Sequence, residues 1–418
     1  MRVLFVVALG LLSACHASEQ TSDAADYDIT FYTKTPHIGH ATLRLPNTQN
    51  SDRTLYLRGN MMGVPSQLSD VSCGGHEIAQ NEDLTWSVPD TCHTVSWTIN
   101  LSTQDTSSFQ PSQQQSLFTD PNWWLISGPS SILRLSGEDT EIKQIGFTLP
   151  DNMRVAYQLQ NVNNPPNYYN FGTVPSRSVR NETDALTYIG DDLDAVLSIV
   201  SPKDHLKAIA YFRSVLGTSA RRVDRLDVVW FGAPRERREA SGAAGYDTIL
   251  ANYIISKDAP KREEQLLSLM LVLHEQFHQL DSGSHPIWIG ESLANYYALK
   301  ALLEIYPNDM ATISVWDRFI DVDRPVDISL TQIQYEISTD GNRQNYGLLY
   351  TQGASFWHEL DMALQANSSG LTGLDDYILK IMELDLNANE NAWDIIKPLF
   401  TALPASTLNT LEQKYIYG

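Results

Sequence analysis

Between Leu266 and Leu280 the chain reads LLSLMLVLHEQFHQL, an apolar run broken near its end by His274, Glu275, Gln276 and His278. Asp258 and Pro260 stand ahead of it as start signals, and Glu263 and Glu264 would complement the dipole of a helix beginning there. The segment therefore reads as helical. Residues four apart share one helix face, which brings the imidazoles of His274 and His278 to a single metal ion, zinc by the chemistry of the pair. Glu275 sits one residue on, about 100° around the axis, where its carboxylate reaches a water at that ion without being a required ligand. A purely structural helix would leave unexplained why polar groups interrupt an apolar run at this spacing.

Zinc that does chemistry needs a third protein ligand and an open fourth position. Glu291 is the candidate. It lies in WIGESLANYY, Trp288 to Tyr297, whose apolar periodicity runs on through Leu299 and Leu302 as a second helix. A loop through Gly283 and Pro286 lets that helix return alongside the first. Asn295, one turn beyond Glu291, is placed to orient a ligand histidine from behind. His285 and Asp281 stay open as alternative ligands, although His285 is one residue off the spacing of a three-histidine metzincin site and Asp281 stands where that pattern needs glycine.

Working outward, the helical period extends back to about Thr183, with Leu186, Ile189, Leu193, Val196 and Ile199 spaced for one buried face. Asp227–Phe231 and Thr248–Ile255 read as strands within it, and helices dominate from Asp258 onward. Toward the N-terminus the period falls to two. Ile29–Tyr32, Ala41–Leu45, Thr54–Leu57, Leu84–Val88, Thr94–Leu101, Ser131–Leu135, Gln144–Leu149 and Arg154–Leu159 are short runs rich in β-formers, broken by Pro, Gly, Asn and Asp. These features predict an α+β chain: a β-rich, antiparallel sandwich-like domain over residues 28–175, then a mostly α-helical catalytic domain over 176–418.

The first residues address the chain. Arg2 precedes an apolar run, Val3 to Leu12, too short to span a bilayer, which marks residues 1–14 as a secretion signal. The run ends in Leu12-Ser13-Ala14-Cys15, which resembles a bacterial lipobox, so Cys15 is the expected lipid-bearing first residue of the mature chain and 15–27 its flexible tether. His16 stands where an aspartate would signal inner-membrane retention, which points to the outer membrane. Cys73 and Cys92 remain, an even pair that in an exported chain predicts one disulfide. A net charge of −21 argues against nucleic acid as a partner. The expected partners are a peptide or protein substrate and, through the lipid, a membrane.

His274, Glu275, His278 and Glu291 match the gluzincin pattern, and Trp288–Tyr297 is similar to the W-x-x-E-[GS]-x-A-x-Y helix of the glycyl-aminopeptidase and alanyl-aminopeptidase families. Tyr350-Thr351-Gln352-Gly353-Ala354 resembles their Y-x-[KQ]-G-A helix, whose tyrosine stabilises an oxyanion. The similarity covers roughly Thr248 to Leu384. It implies a thermolysin-like catalytic domain, one zinc ion, peptide hydrolysis with Glu275 and Tyr350 as catalytic residues, and a β-domain ahead of it. The chain departs from the pattern where alanyl-aminopeptidases carry G-x-M-E-N, whose glutamate binds a free amine. Gly245 to Asn252 hold no glutamate, which leaves internal and terminal cleavage both open, with Thr248–Ile255 as a candidate edge strand for an extended peptide. The rival expectation is a retired peptidase that serves as a surface binding protein. His358 reads as a packing histidine, and Arg343 as a solvated loop residue.

Overall fold

The computed structural model describes residues 25–417, apart from 46–52, 60–64, 104–114, 120–122, 137–141, 151–167, 173–175, 182–183, 191, 218–225, 235–240, 246–247, 256–257, 281–284, 385 and 387–391. The expected secretion signal, Cys15, most of the expected tether and the strand expected at Arg154–Leu159 lie outside the described residues. None of the described helices is long and apolar enough to cross a membrane.

In the first half the strands are β1 (Ala25–Tyr32), β2 (Thr35–Arg44), β3 (Arg53–Tyr56), β4 (Leu68–Cys73), β5 (His76–Glu77), β6 (Trp86–Val88), β7 (Thr94–Asn100), β8 (Leu117–Thr119), β9 (Trp123–Ser127), β10 (Arg134–Leu135), β11 (Ile142–Thr148) and β12 (Tyr168–Gly172). A six-stranded sheet runs β11-β1-β2-β7-β4-β5, and three-stranded sheets run β10-β3-β6 and β12-β9-β8. Alternation sets the faces. Tyr27, Ile29 and Phe31 of β1, Ala41 and Leu43 of β2, and Val95, Trp97 and Ile99 of β7 are buried in one core with Leu55, Trp86, Val88 and Leu135 of the second sheet. Two sheets sharing one core make the region sandwich-like. Two details depart from the expectation. β1 pairs with β11 in parallel, within an otherwise antiparallel sheet. The expected strand at Ser131–Leu135 is mostly something else: a single helical turn, α1 (Gly128–Ser131), opens on Pro129, whose fixed φ suits a helix start, and only Arg134–Leu135 are extended.

The Cys73–Cys92 disulfide is present, with its Cα atoms 5.8 Å apart. Within the loop it closes, the buried Arg53 guanidinium donates to the carbonyls of Pro89, Asp90 and Cys92.

Strand β9 faces two ways. Trp124 and Ile126 enter the sandwich core. Leu125, between them, joins Leu117 of β8 against Ile189, Val229, Phe231, Ala243 and Leu250 from the second half of the chain.

That second half is built on a five-stranded sheet, β13 (Ser176–Arg180), β14 (Ala185–Gly190), β15 (Leu226–Pro234), β16 (Gly242–Ala244) and β17 (Thr248–Ile255), in the order β13-β14-β15-β17-β16. β14, β15 and β17 are mutually parallel, whereas β13 and β16 are antiparallel edge strands. Strands thus stand at Asp227–Phe231 and Thr248–Ile255, but the helix expected from Leu186 is corrected. Ala185–Gly190 is a strand, and the helix, α2, spans only Leu193–Ile199, capped by Asp192. Leu186, Tyr188 and Ile189 are buried on both faces of a central parallel strand, where the period-two signal disappears. After α3 (Pro202–Leu216), the helices α4 (Arg262–Leu280), α5 (Ile287–Ile305), α6 (Met310–Phe319), α7 (Leu330–Asp340) and α8 (Leu348–Asn367) follow. α4 packs on β16 and β17 on one side and on α5 on the other, and α5 packs in turn on α8.

Candidate metal centre

Helix α4 starts where its acidic first turn predicts: Glu264 folds back to accept from the Lys261 backbone N–H at 3.0 Å. The helix is buried along most of its length, so His274 and His278 project from one face into the space between α4 and α5. α5 is locked against it by Phe277 and Tyr297, whose rings stack with centroids 5.1 Å apart. The Trp288 backbone N–H donates to Gln334 Oε1 at 3.1 Å, tying the first turn of α5 to α7. Glu291 is thereby aimed at the two imidazoles.

His274 Nε2 lies 3.1 Å from His278 Nε2 and 3.2 Å from Glu291 Oε2, and His278 Nε2 lies 3.8 Å from Glu291 Oε1. His274, His278 and Glu291 form the one cluster among the described residues with ligand atoms placed to share a metal ion. The donor set fits the group it implies. Tetrahedral zinc with bonds of about 2.0–2.2 Å keeps its ligand atoms about 3.4 Å apart, a value that falls within the spread of these separations. Two imidazole nitrogens 3.1 Å apart can share a proton or, with both lone pairs turned inward, a cation. Burial works against ionisation of Glu291, but the hydrogen bond from His274 and the charge of the neighbouring His278 and His274 outweigh it and hold the carboxyl well below the usual range.

Glu275 leaves α4 toward β16 and is only 9% exposed. Burial raises its carboxyl above the usual range, against the pull of His274, His278 and the Ala244 backbone N–H turned toward it. Tyr350, in the first turn of α8, has its ring centroid 5.4 Å from that of His274. Burial, then the charge of Glu291, keep its hydroxyl protonated far above neutrality. Asn295 is corrected in its role. Its Nδ2 donates to the Tyr350 carbonyl at 2.6 Å, so it supports the tyrosine's helix and not a ligand imidazole, because the face of α5 one turn past Glu291 meets α8 there.

One residue escaped the sequence reading. Tyr346, a turn before α8, has its ring 5.7 Å from that of Tyr350 and its hydroxyl near Glu291, whose charge adds to burial in raising its pKa. The four-residue spacing of two tyrosines was the available signal. The alternatives do not join the cluster: His285 is absent from it, and Asp281 lies outside the described residues. His358 packs edge-on against Trp316 at 5.2 Å, far along α8, and Arg343 lies over the Tyr346 ring at 5.5 Å. The edge strand is likewise corrected. Thr248–Ile255 pairs with β15 along its length and with β16 over Ile249–Ala251, and among the described residues β16 is the last strand of the sheet on this side.

No protein-family model matches the chain, and no curated protein matches it. Among solved structures it is similar to an aminopeptidase N family protein from Idiomarina loihiensis, with a TM-score of 0.61 and 13% sequence identity over 94% of this chain and 73% of that one. The likeness is one of fold. Both chains place a β-rich region ahead of a helical one, and the His274, His278 and Glu291 cluster stands in the helical part of this chain.

Proposed function

We propose that this chain is a zinc-dependent peptidase that hydrolyses peptide bonds, carried on a lipid anchor at Cys15 and acting at the bacterial cell envelope, on the outer membrane. The convergence of His274, His278 and Glu291 beside a buried Glu275 is the observation that carries the reading. Zinc held by those three residues would supply Lewis acidity, which acidifies water and polarises a carbonyl.

The chain's own residues supply the rest. An extended peptide would add alongside β16, gaining main-chain hydrogen bonds at the end of the sheet. Glu275, with a carboxyl raised above the usual range by burial, takes the proton from the attacking water and delivers it to the leaving amine. Tyr350 keeps its hydroxyl proton and donates it as a hydrogen bond to the carbonyl oxygen as that oxygen gains charge. Tyr346 and Asn295 hold Tyr350 from either side, one through its ring and one through its backbone carbonyl.

Glu275→Gln tests the assignment, because it keeps the shape and removes the proton acceptor. The variant should hold metal with wild-type stoichiometry and lose chelator-sensitive cleavage of a mixed peptide library. Undiminished cleavage in that variant overturns the role of Glu275. Metal binding with no cleavage in the wild type favours the retired, binding-protein alternative.

A further inference from the structure

The last strand of the catalytic sheet sits against the proton acceptor more closely than a strand and a side chain ordinarily approach. A Cβ built on Gly242 would lie 2.8 Å from both Cγ and Oε1 of Glu275 and 3.1 Å from its Cδ, so no residue other than glycine fits without moving the carboxylate. Two residues on, the Ala244 backbone N–H is turned toward the same carboxylate. The pairing explains why both positions point this way. Ser241 and Gly245 exchange hydrogen bonds with Asn252 and Thr248 of β17, and alternation in an antiparallel pair turns the backbone groups of Gly242 and Ala244 away from β17.

β16 is only three residues long, too short to hold this position by pairing alone. The missing constraint is Gln279, one turn beyond Glu275 on α4 and 4% exposed. Its Nε2 donates to the Gly245 carbonyl at 2.8 Å and to the Thr248 carbonyl at 3.1 Å, the two residues that close the β16–β17 hairpin. Gly245 N–H in turn donates to Thr248 O at 2.7 Å. One side-chain amide thus clasps both strands of the hairpin, where they meet at the turn, to the helix that carries Glu275.

We infer that Gln279 and Gly242 are positioning residues for Glu275: Gln279 pins the hairpin to α4, and Gly242 gives the carboxylate the one place it can occupy between helix and strand. The inference rests on the reading of Glu275 as proton acceptor, and its test separates the two. Full-length, zinc-loaded wild type, Gln279→Met and Gly242→Ala would be compared for metal stoichiometry, for amide hydrogen exchange across residues 241–252, and for kcat and KM on a mixed peptide substrate. Gln279→Met keeps volume and loses both donors. It should exchange about tenfold faster across the hairpin, while α5 stays protected as a sign of intact folding. Both variants should keep full metal and lose about tenfold or more in kcat, a typical cost of removing a supporting contact, with a smaller change in KM. Wild-type exchange across the hairpin in Gln279→Met overturns the clasp, and wild-type kcat in Gly242→Ala overturns the contact with Glu275. If the wild type cleaves nothing, the peptidase reading fails, and the exchange measurement alone decides the clasp.

Discussion

The hydroxyl of Tyr350 sits close to two carboxylates, and its proton is retained because an oxyanion beside Glu291 and Glu275 in a buried site would be severely destabilised. A donor of that kind is most useful when negative charge develops on the substrate. Tyr350→Phe removes only the hydroxyl and should lower kcat by about 100-fold, the usual cost of one oxyanion donor, with metal content unchanged. Steady-state kinetics beside metal analysis checks this, and a loss of metal equal to the loss of rate would instead make Tyr350 part of the ligand support. At this scale the sequence was legible wherever one helix fixes the geometry. The spacing of His274, Glu275 and His278 is set by α4 alone, and Glu291 by its place on the next helix. Tyr346 was not legible, since its contact with Glu291 exists only because the residues before α8 close over α5.

At the scale of elements, signals that depend on solvent contrast were legible and signals erased by burial were not. The alternating strands β1, β2 and β7 have one face in the core and one toward solvent, so their period survives in the sequence. β14 is buried on both faces, and its apolar residues fit a helical period just as well. β16 carries only Gly-Ala-Ala, which gives no pattern at all, yet it flanks Glu275. The disulfide was readable from parity. It joins residues 19 apart in the β-sandwich, and removing it through Cys73→Ser and Cys92→Ser should lower stability by about 3 kcal/mol. Denaturant titration checks the figure, and metal content should not follow it, because the ligands lie on α4 and α5. The three hydrogen bonds of Arg53 to that loop would soften the loss, not remove it.

At the scale of the molecule, one buried histidine ties folding to acidity. His205 of α3 is fully buried, and burial pushes its pKa down to about 4. Its Nδ1 lies 3.1 Å from the Tyr188 hydroxyl. An unfolded chain binds a proton at this residue near its ordinary value of about 6.5, whereas the folded chain does not until about 4. The stabilisation is therefore complete above about pH 6.5 and is lost as pH falls toward 4, by about 3 kcal/mol in all. Unfolding free energies of wild type and His205→Asn across that range should differ in slope, with the variant flatter. Equal slopes would remove His205 as the source. Asp361, held below the usual carboxylate range by Lys300 and Tyr296 despite burial, weakens the fold only at lower pH and does not blur this window.

β9 lends alternate side chains to two separate cores, with Trp124 and Ile126 on one side and Leu125 on the other. It is a party wall: whichever half of the chain were cut away, the other would keep a raw apolar face where its neighbour had been. Evolution can therefore redecorate the loops on either side of this wall far more easily than it can trade one of the two rooms for another.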